Sequence, residues 1–570
     1  MDIKQESEQT DSLKTSNKIK FLGARGEVKE KELKNSDEAH LPPNNNLKLY
    51  SHKKSKSKLP HANSGIKINQ TSEAEFITSQ YNISSDESIA EQESDIKIIS
   101  NKDKKYRSHL LKSPINTWLS QKPIRLVLLS FVFVILTGAC LLSLPIASSS
   151  GQSHGFFTAL FTSTSATCVT GLILLDTMTA WSFFGQLVII MLIQIGGLSL
   201  LTILSALSLG FKHKITFRTT RALTDGTGSS GLDETLKLVS NIIVITLSIE
   251  LLGAIILSSR FLSYMPFKEA IWKGTFQSIS AFCNAGFDLM GNFSGKFSSL
   301  TAFKHDPIVL LTTSLLIISG GLGFVVWTDI FNLIRKKSVR FHSKIVLLVT
   351  FCLLLFGTLF FFFSESIQAN KEWLNLSTGE KILNSFFQST TSRTAGYNSL
   401  DQSQLSEAGK WFSSILMLIG AGPASTGGGI KVTTFMLIIA ASISDLKGKS
   451  DEIHLFKHRI NSQLARRSFS LLSFAITLTF ALSFLIYFTM PRYLHSDINF
   501  SDIFFESTSA FATVGLSSLQ TNRLNFISHV GLILAMYIGR VGPASLSLSI
   551  IISRSHKATK IYPEGKTFVG

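Results

Sequence analysis

Polar and apolar residues are unevenly distributed along the chain. Residues 1 to about 120 are rich in Lys, Ser, Asn, Glu and Gln and poor in large apolar side chains. Such a stretch buries too little apolar surface to offset its ordering entropy, so it predicts a disordered polar tail over 1–120. From Pro123 onward apolar runs dominate. Several reach the roughly 20 residues needed to cross a bilayer core of about 30 Å. The first, 124–144, lies too deep in the chain to be a signal peptide.

After each long run comes a shorter, moderately apolar stretch, then a small-residue motif, then another long run. This order occurs four times. The motifs are TSATCVTGL (164–172), SISAFCNAGF (278–287), TTSRTAGY (390–397) and TSAFATVGL (508–516). They align on Gly171, Gly286, Gly396 and Gly515. The spacing is roughly 110 to 120 residues, and a repeat at a fixed period means a repeated structural unit. Six positions before each glycine stands a hydroxyl residue, Ser165, Ser280, Thr390 or Ser509, and an apolar or aromatic residue follows it.

Each unit reads as a spanning helix (M1), a half-helix (P), the motif, and a second spanning helix (M2). The units run 121–210, 211–335, 336–445 and 446–555, with a C-terminal tail at 556–570. The expected M1 helices are 124–144, 236–262, 345–364 and 468–490. The M2 helices are 182–209, 306–334, 411–444 and 526–552, and the first P is 155–168. P is too short to cross, so it enters and leaves on one side. The expected fold is an all-α integral membrane protein, with eight spanning helices and four re-entrant loops around one pore of pseudo-fourfold symmetry. Irregular backbone at membrane depth survives only when buried in protein or lining a watery cavity.

Charge orients this arrangement. The net charge is +17, with Lys and Arg concentrated at 211–221, 335–344, 456–467 and 554–560. These segments link an M2 to the next M1 or follow the last M2. The positive-inside rule makes that side cytoplasmic, puts both termini there and the P loops outside. The charge therefore points to a membrane, not to nucleic acid. For the N-terminal tail two readings stand: a solvated segment, or a basic one drawn to anionic lipid or a regulatory partner. Cys140, Cys168, Cys283 and Cys352 form no C-x-x-C or Cys/His metal pattern and are expected as reduced thiols.

The motifs suggest their chemistry. A bare K⁺ needs oxygens to replace its hydration shell, and rings of backbone carbonyls supply them in known filters. Aiming successive carbonyls at one axis needs backbone angles that glycine reaches without Cβ strain. The candidate filter is Val169, Thr170, Gly171, Asn284, Ala285, Gly286, Thr394, Ala395, Gly396, Thr513, Val514 and Gly515. P helices ending just before it point their negative ends at a cation.

The third M2 contains GAGPASTGGGIK. One reading is a cytoplasmic loop. Apolar sequence resumes at once, however, and Pro423 with three successive glycines cannot sustain a helix, which favours a break inside the membrane. Arg540, at similar depth in the fourth M2, is either a snorkelling end residue or a buried functional charge. The expected gate is Gly420, Ala421, Gly422, Pro423, Ala424, Ser425, Thr426, Gly427, Gly428 and Gly429, with Arg540 hydrogen-bonding loop carbonyls and repelling cations. Arg393 is read as bracing the filter from behind, against a surface anchor. Glu506 and Asp288 either attract cations at the outer mouth or cap helices.

On these residues, from about 120 to the end, the chain resembles the Trk/Ktr/HKT superfamily of K⁺ transporters. It lies nearer the bacterial KtrB-like branch than TrkH, because the region where TrkH-like subunits carry two extra spanning helices is polar here. Glycine in all four filters is that family's K⁺-selective pattern. The resemblance implies potassium uptake through a gated, channel-like pore in the plasma membrane and a homodimer with one pore per subunit. It also implies a peripheral nucleotide-binding partner of the KtrA/TrkA type. No cofactor is expected beside the transported K⁺, with Na⁺ a candidate activator. An ion-coupled symporter is the rival reading, since broken helices and repeats also mark that class. An enzyme is disfavoured: no G-x-x-x-x-G-K-[ST] and no metal-ligand cluster is visible.

Overall fold

The computed structural model describes residues 21–22, 28–29, 123–198, 232–334, 338–368, 370–448, 453–456, 458–490 and 498–542. Contacts divide the chain into units 1–94 and 95–570. Of the first, the described part is an antiparallel pair, β1 (Phe21–Leu22) and β2 (Val28–Lys29). The expected tail otherwise lies outside the described residues, as do 199–231, 543–555 and the C-terminal tail at 556–570.

The second unit is helical. In chain order its helices are α1 (Pro123–Leu142), α2 (Phe156–Cys168), α3 (Phe183–Gly197), α4 (Leu232–Phe261) and α5 (Phe267–Phe282). Then come α6 (Pro307–Leu322), α7 (Phe324–Ile334), α8 (Phe341–Ile367), α9 (Thr378–Thr391), α10 (Glu407–Leu418) and α11 (Val432–Leu446). A hairpin of β3 (Ile453–Leu455) and β4 (His458–Ile460) precedes α12 (Ser462–Thr489), α13 (Phe500–Phe511) and α14 (Phe526–Val541).

Local chemistry sets where the helices start. Asp306 accepts from the N–H groups of Ile308 (3.0 Å) and Val309 (3.3 Å), with Pro307 in the first turn of α6, where its missing N–H costs nothing. Capping boxes open α9 (Ser377 with Glu380) and α13 (Asn499 with Asp502). Glu380 is held at about 2 by the Ser377 N–H and by hydrogen bonding from His305.

Among the described residues three helices are long and apolar enough to cross a membrane unbroken: 240–261 of α4, and all of α8 and α12. The sequence reading expected eight spanning helices, the third M2 broken and the second continuous over 306–334. The predicted 306–334 is bent by 99° at Gly323, between α6 and α7. Gly323 has φ +93°, which L side chains rarely adopt, and an added Cβ would meet the Pro423 carbonyl. The predicted 411–444 is divided into α10 and α11 by residues 419–431.

Helix contacts close into a cycle. The short helices α2, α5, α9 and α13 pack on α1, α4, α8 and α12 respectively. Each is also touched by a helix of the preceding segment: α3 on α5, α6 on α9, α10 on α13, and α14 back on α2. Buried residues follow the same joins. Phe161, Cys168 and Leu172 share a core with Leu532 and Met536, although they stand at opposite ends of the described helical region.

Candidate functional site: a ring of four glycines

Each short helix ends one to three residues before a left-handed residue: Val169 (φ 57°), Asn284 (59°), Thr394 (72°) and Thr513 (52°). Two positions on come Gly171 (96°), Gly286 (71°), Gly396 (87°) and Gly515 (99°). Hydrogen bonds fix what this alternation does. The Thr170 N–H donates to Ser165 O (2.8 Å) and the Gly171 N–H to Ser165 Oγ (3.0 Å). Val514 and Gly515 repeat this on Ser509 (2.8 and 3.0 Å). In a planar trans peptide C=O points opposite to N–H, so the carbonyls of Val169, Thr170, Thr513 and Val514 face away from their helices. Ala285 N–H to Ser280 O (2.8 Å) and Ala395 N–H to Thr391 O (3.0 Å) do the same for Asn284 and Thr394.

The glycines meet one another. A Cβ on Gly171 would stand 2.6 Å from Ala285 O and 3.0 Å from Gly286 Cα. On Gly286 it would stand 2.9 Å from Ala395 O and 3.1 Å from Gly396 Cα. On Gly396 it would run into Val514 O, and on Gly515 into Thr170 O. Each glycine therefore lies against the carbonyl that precedes the next glycine, and the fourth returns to the first.

The third motif corrects the sequence alignment. Thr390 Oγ1 donates to Phe386 O within its own helix (2.8 Å). It is Thr391 whose hydroxyl donates to Tyr397 O (2.6 Å), matching Ser280 Oγ on Phe287 O (2.7 Å). This turn is one residue shorter than the others. Tyr397, fully buried, sends its hydroxyl across to Ser280 Oγ (2.6 Å).

Residues 419–431 pack directly against this ring. A Cβ on Gly427 would strike Thr394 Oγ1 and one on Gly428 would strike Thr513 Oγ1. The segment is pinned by Gly420 N–H to Ile430 O (2.9 Å), Gly422 N–H to Gly321 O (2.8 Å), Thr426 N–H to Gly320 O (3.2 Å) and Phe324 N–H to Ala424 O (3.0 Å). Ser425 Oγ donates to Gly422 O (2.5 Å), Thr426 Oγ1 to Phe282 O (3.1 Å) and Lys431 Nζ to Gly427 O (2.6 Å). Ala421 is buried and Gly429 is left-handed at φ 66°. Arg540 donates to Thr426 O in this segment and to Gly196 O of α3. Arg393 is buried, and its guanidinium reaches Gly420 O and Thr350 Oγ1 (both 3.4 Å), joining the broken helix to α8.

Mid-helix glycines have a packing reason. A Cβ on Gly196, Gly320 or Gly539 would collide with the carbonyl of Thr167, Phe282 or Phe511, at the end of a short helix. The sequence reading missed a second set. Ser163, Ser278 and Ser389 donate to the carbonyls of Ile135 (2.7 Å), Glu250 (2.6 Å) and Leu354 (3.1 Å), and Gly138, Gly253 and Gly357 make room for those serines. A Ser eight or seven residues before each motif glycine was the available signal.

Above the ring lies a cavity of about 700 Å³, lined by all four glycines and by Asp288, Lys296, Lys304, Lys371, Glu372 and Asp401 among others. Lys304 pairs with Glu372 (2.7 Å). Burial pushes the Asp288 carboxyl up to about 6, with Asp176 adding to the rise and the Met290 N–H, Ser299 and Lys273 opposing it. Glu506 does not line this cavity. It is fully buried on α13 and accepts from Thr521 Oγ1 (2.5 Å). Cys168 and Cys283 are buried free thiols, the latter against Gly197.

The family model described as TrkH, cation transport protein, matches residues 119–561. The chain belongs to the TrkH cation transport family. The potassium/sodium uptake protein NtpJ of Enterococcus hirae is 36% identical over 81% of this chain and 100% of its own length. The Ktr system potassium uptake protein B of Vibrio alginolyticus is 36% identical over 78% of this chain and 94% of its own length. That of Bacillus subtilis is 34% identical over 81% and 100%. The crystal structure of the potassium transporter TrkH from Vibrio parahaemolyticus superposes with a TM-score of 0.54 at 16% identity, over 74% of this chain and 84% of that one. Membership of this family and its long apolar helices make the chain a helical, membrane-like protein of cation transport.

Proposed function

We propose that the chain takes up K⁺ across the plasma membrane through a gated, channel-like pore. Four M1-P-M2 units surround its axis, and the filter is formed by the carbonyls of 169–171, 284–286, 394–396 and 513–515. The closed glycine ring carries this reading, because four carbonyl-bearing turns facing one axis are what a dehydrated cation requires. Residues 420–429 form the gate, held shut through Thr426 and Gly196 by Arg540. Arg393 keeps the break in place.

Both termini face the cytoplasm in this reading. The subunit works as a homodimer with a peripheral nucleotide-binding partner, as the naming of relatives after a Ktr system suggests. A coupled symporter is the second reading, favoured by the relative named for both potassium and sodium. Purified protein in liposomes tests both. The pore passes K⁺ and Rb⁺ well above Na⁺ with no second ion required. An obligatory Na⁺ or H⁺ flux at fixed stoichiometry would establish the symporter, and the absence of K⁺ flux would refute the proposal.

A further inference from the structure

We infer that Glu250 is a positioning residue for the filter segment of the second motif. The inference rests on the filter reading above. Three residues before the M1 glycines Gly138, Gly253 and Gly357 stand Ile135, Glu250 and Leu354, and the backbone carbonyl of each accepts the same serine bond. Two of the three side chains are apolar. The third is a carboxylate, 4% exposed, within the apolar stretch 240–261. An ionisable group at that depth is expensive and rarely idle.

Its partners explain its presence. Gln194 on α3 donates through Nε2 to both Glu250 oxygens (3.1 and 3.2 Å). The Cys283 thiol lies 3.5 Å from Gln194 Oε1 and 3.9 Å from Glu250 Oε1. Cys283 immediately precedes left-handed Asn284, and Gly197 closes on it from behind: a Cβ there would stand 2.6 Å from its sulfur. Glu250, Gln194 and Cys283 thus form a polar wedge that ties α3 to α4 at the base of one filter turn. Its charge is not needed for this, only its shape and hydrogen bonding. Without the wedge the second turn gains freedom to move outward, and the ring loses its fit to K⁺.

The test uses the full-length protein in liposomes and reads the K⁺/Na⁺ flux ratio, with thermal unfolding as a check on folding. E250Q keeps the wild-type ratio, since an amide pairs reciprocally with Gln194. E250L and Q194L each lower the ratio at least about fivefold, the worth of one lost buried hydrogen bond. The double variant is no worse than the poorer single one, as expected for partners in one contact. A wild-type ratio in E250L, or additive losses in the double variant, overturns the inference. Should E250L not be recovered folded, Q194L decides by the same criterion from the other helix. Gly286→Ser separates the two levels. If it leaves the ratio unchanged, the filter reading itself fails; if it lowers the ratio while E250L does not, only the role of Glu250 fails.

Discussion

At the scale of single residues, the four motif glycines are held by two independent demands, a left-handed backbone and a neighbouring carbonyl where a Cβ would sit. Replacing Gly286 by Ser adds left-handed strain of about 1–2 kcal/mol. It also pushes on Ala395 O, so selectivity for K⁺ over Na⁺ should collapse in liposome flux assays. Asp288 acts at the cavity above. Its carboxyl is raised to about 6, so it is neutral below that pH and charged above it. At sub-saturating K⁺, uptake should rise between about pH 5 and about pH 7 as this charge appears, and Asp288→Asn should flatten the step. The groups facing it are Asp176 and Lys273. A pH profile that is the same in both proteins would remove Asp288 from the entry path.

Elements are where the motif sequences acquire partners. The segment 419–431 is not a free loop. It takes hydrogen bonds from or gives them to α6, α7, α11 and α14. Its break coincides with the 99° bend at Gly323, because Phe324 N–H bonds Ala424 O. Deleting 425–428, or changing Arg540 to Ala, removes a contact that bridges this segment to α3. Flux should rise about tenfold if the barrier drops by about 1.4 kcal/mol. Flux at or below wild type, with normal expression, would mean that the segment does not obstruct the path.

At the scale of the molecule, closure depends on the join between the last helix and the first. Tyr537 on α14 donates to Leu128 O on α1 (2.9 Å), and His529 meets Phe161 edge-on at 5.7 Å. These contacts bring together residues some 400 positions apart, a closure whose entropic cost grows only with the logarithm of the intervening length. Tyr537→Phe should lower stability by about 1 kcal/mol, read as a fall in detergent-solubilised melting temperature, with little change in K⁺/Na⁺ ratio. A large selectivity change would mean that this join also shapes the filter.

Much of this was legible in the chain alone. Apolar runs, basic segments and four spaced glycines were enough to expect a helical membrane protein and to pick out Gly171, Gly286, Gly396 and Gly515, because helix length and glycine's freedom are local properties. The break at Pro423 was legible for the same reason, because a helix interior does not tolerate proline with three glycines close behind, and the half-buried Arg540 stood out as a charge in an apolar run. Three things were not. Thr391, not Thr390, holds the third turn, since which hydroxyl faces a carbonyl depends on helix phase at the last residue. The bend at Gly323 follows from a carbonyl contributed by a distant segment. Glu250 passed unremarked in the sequence, because only folding puts Gln194 and Cys283 beside it. Sequence determines which residues can turn, break or carry charge. Tertiary structure alone decides which of them meet, because a side chain's partner is set by packing between segments that the chain order keeps far apart.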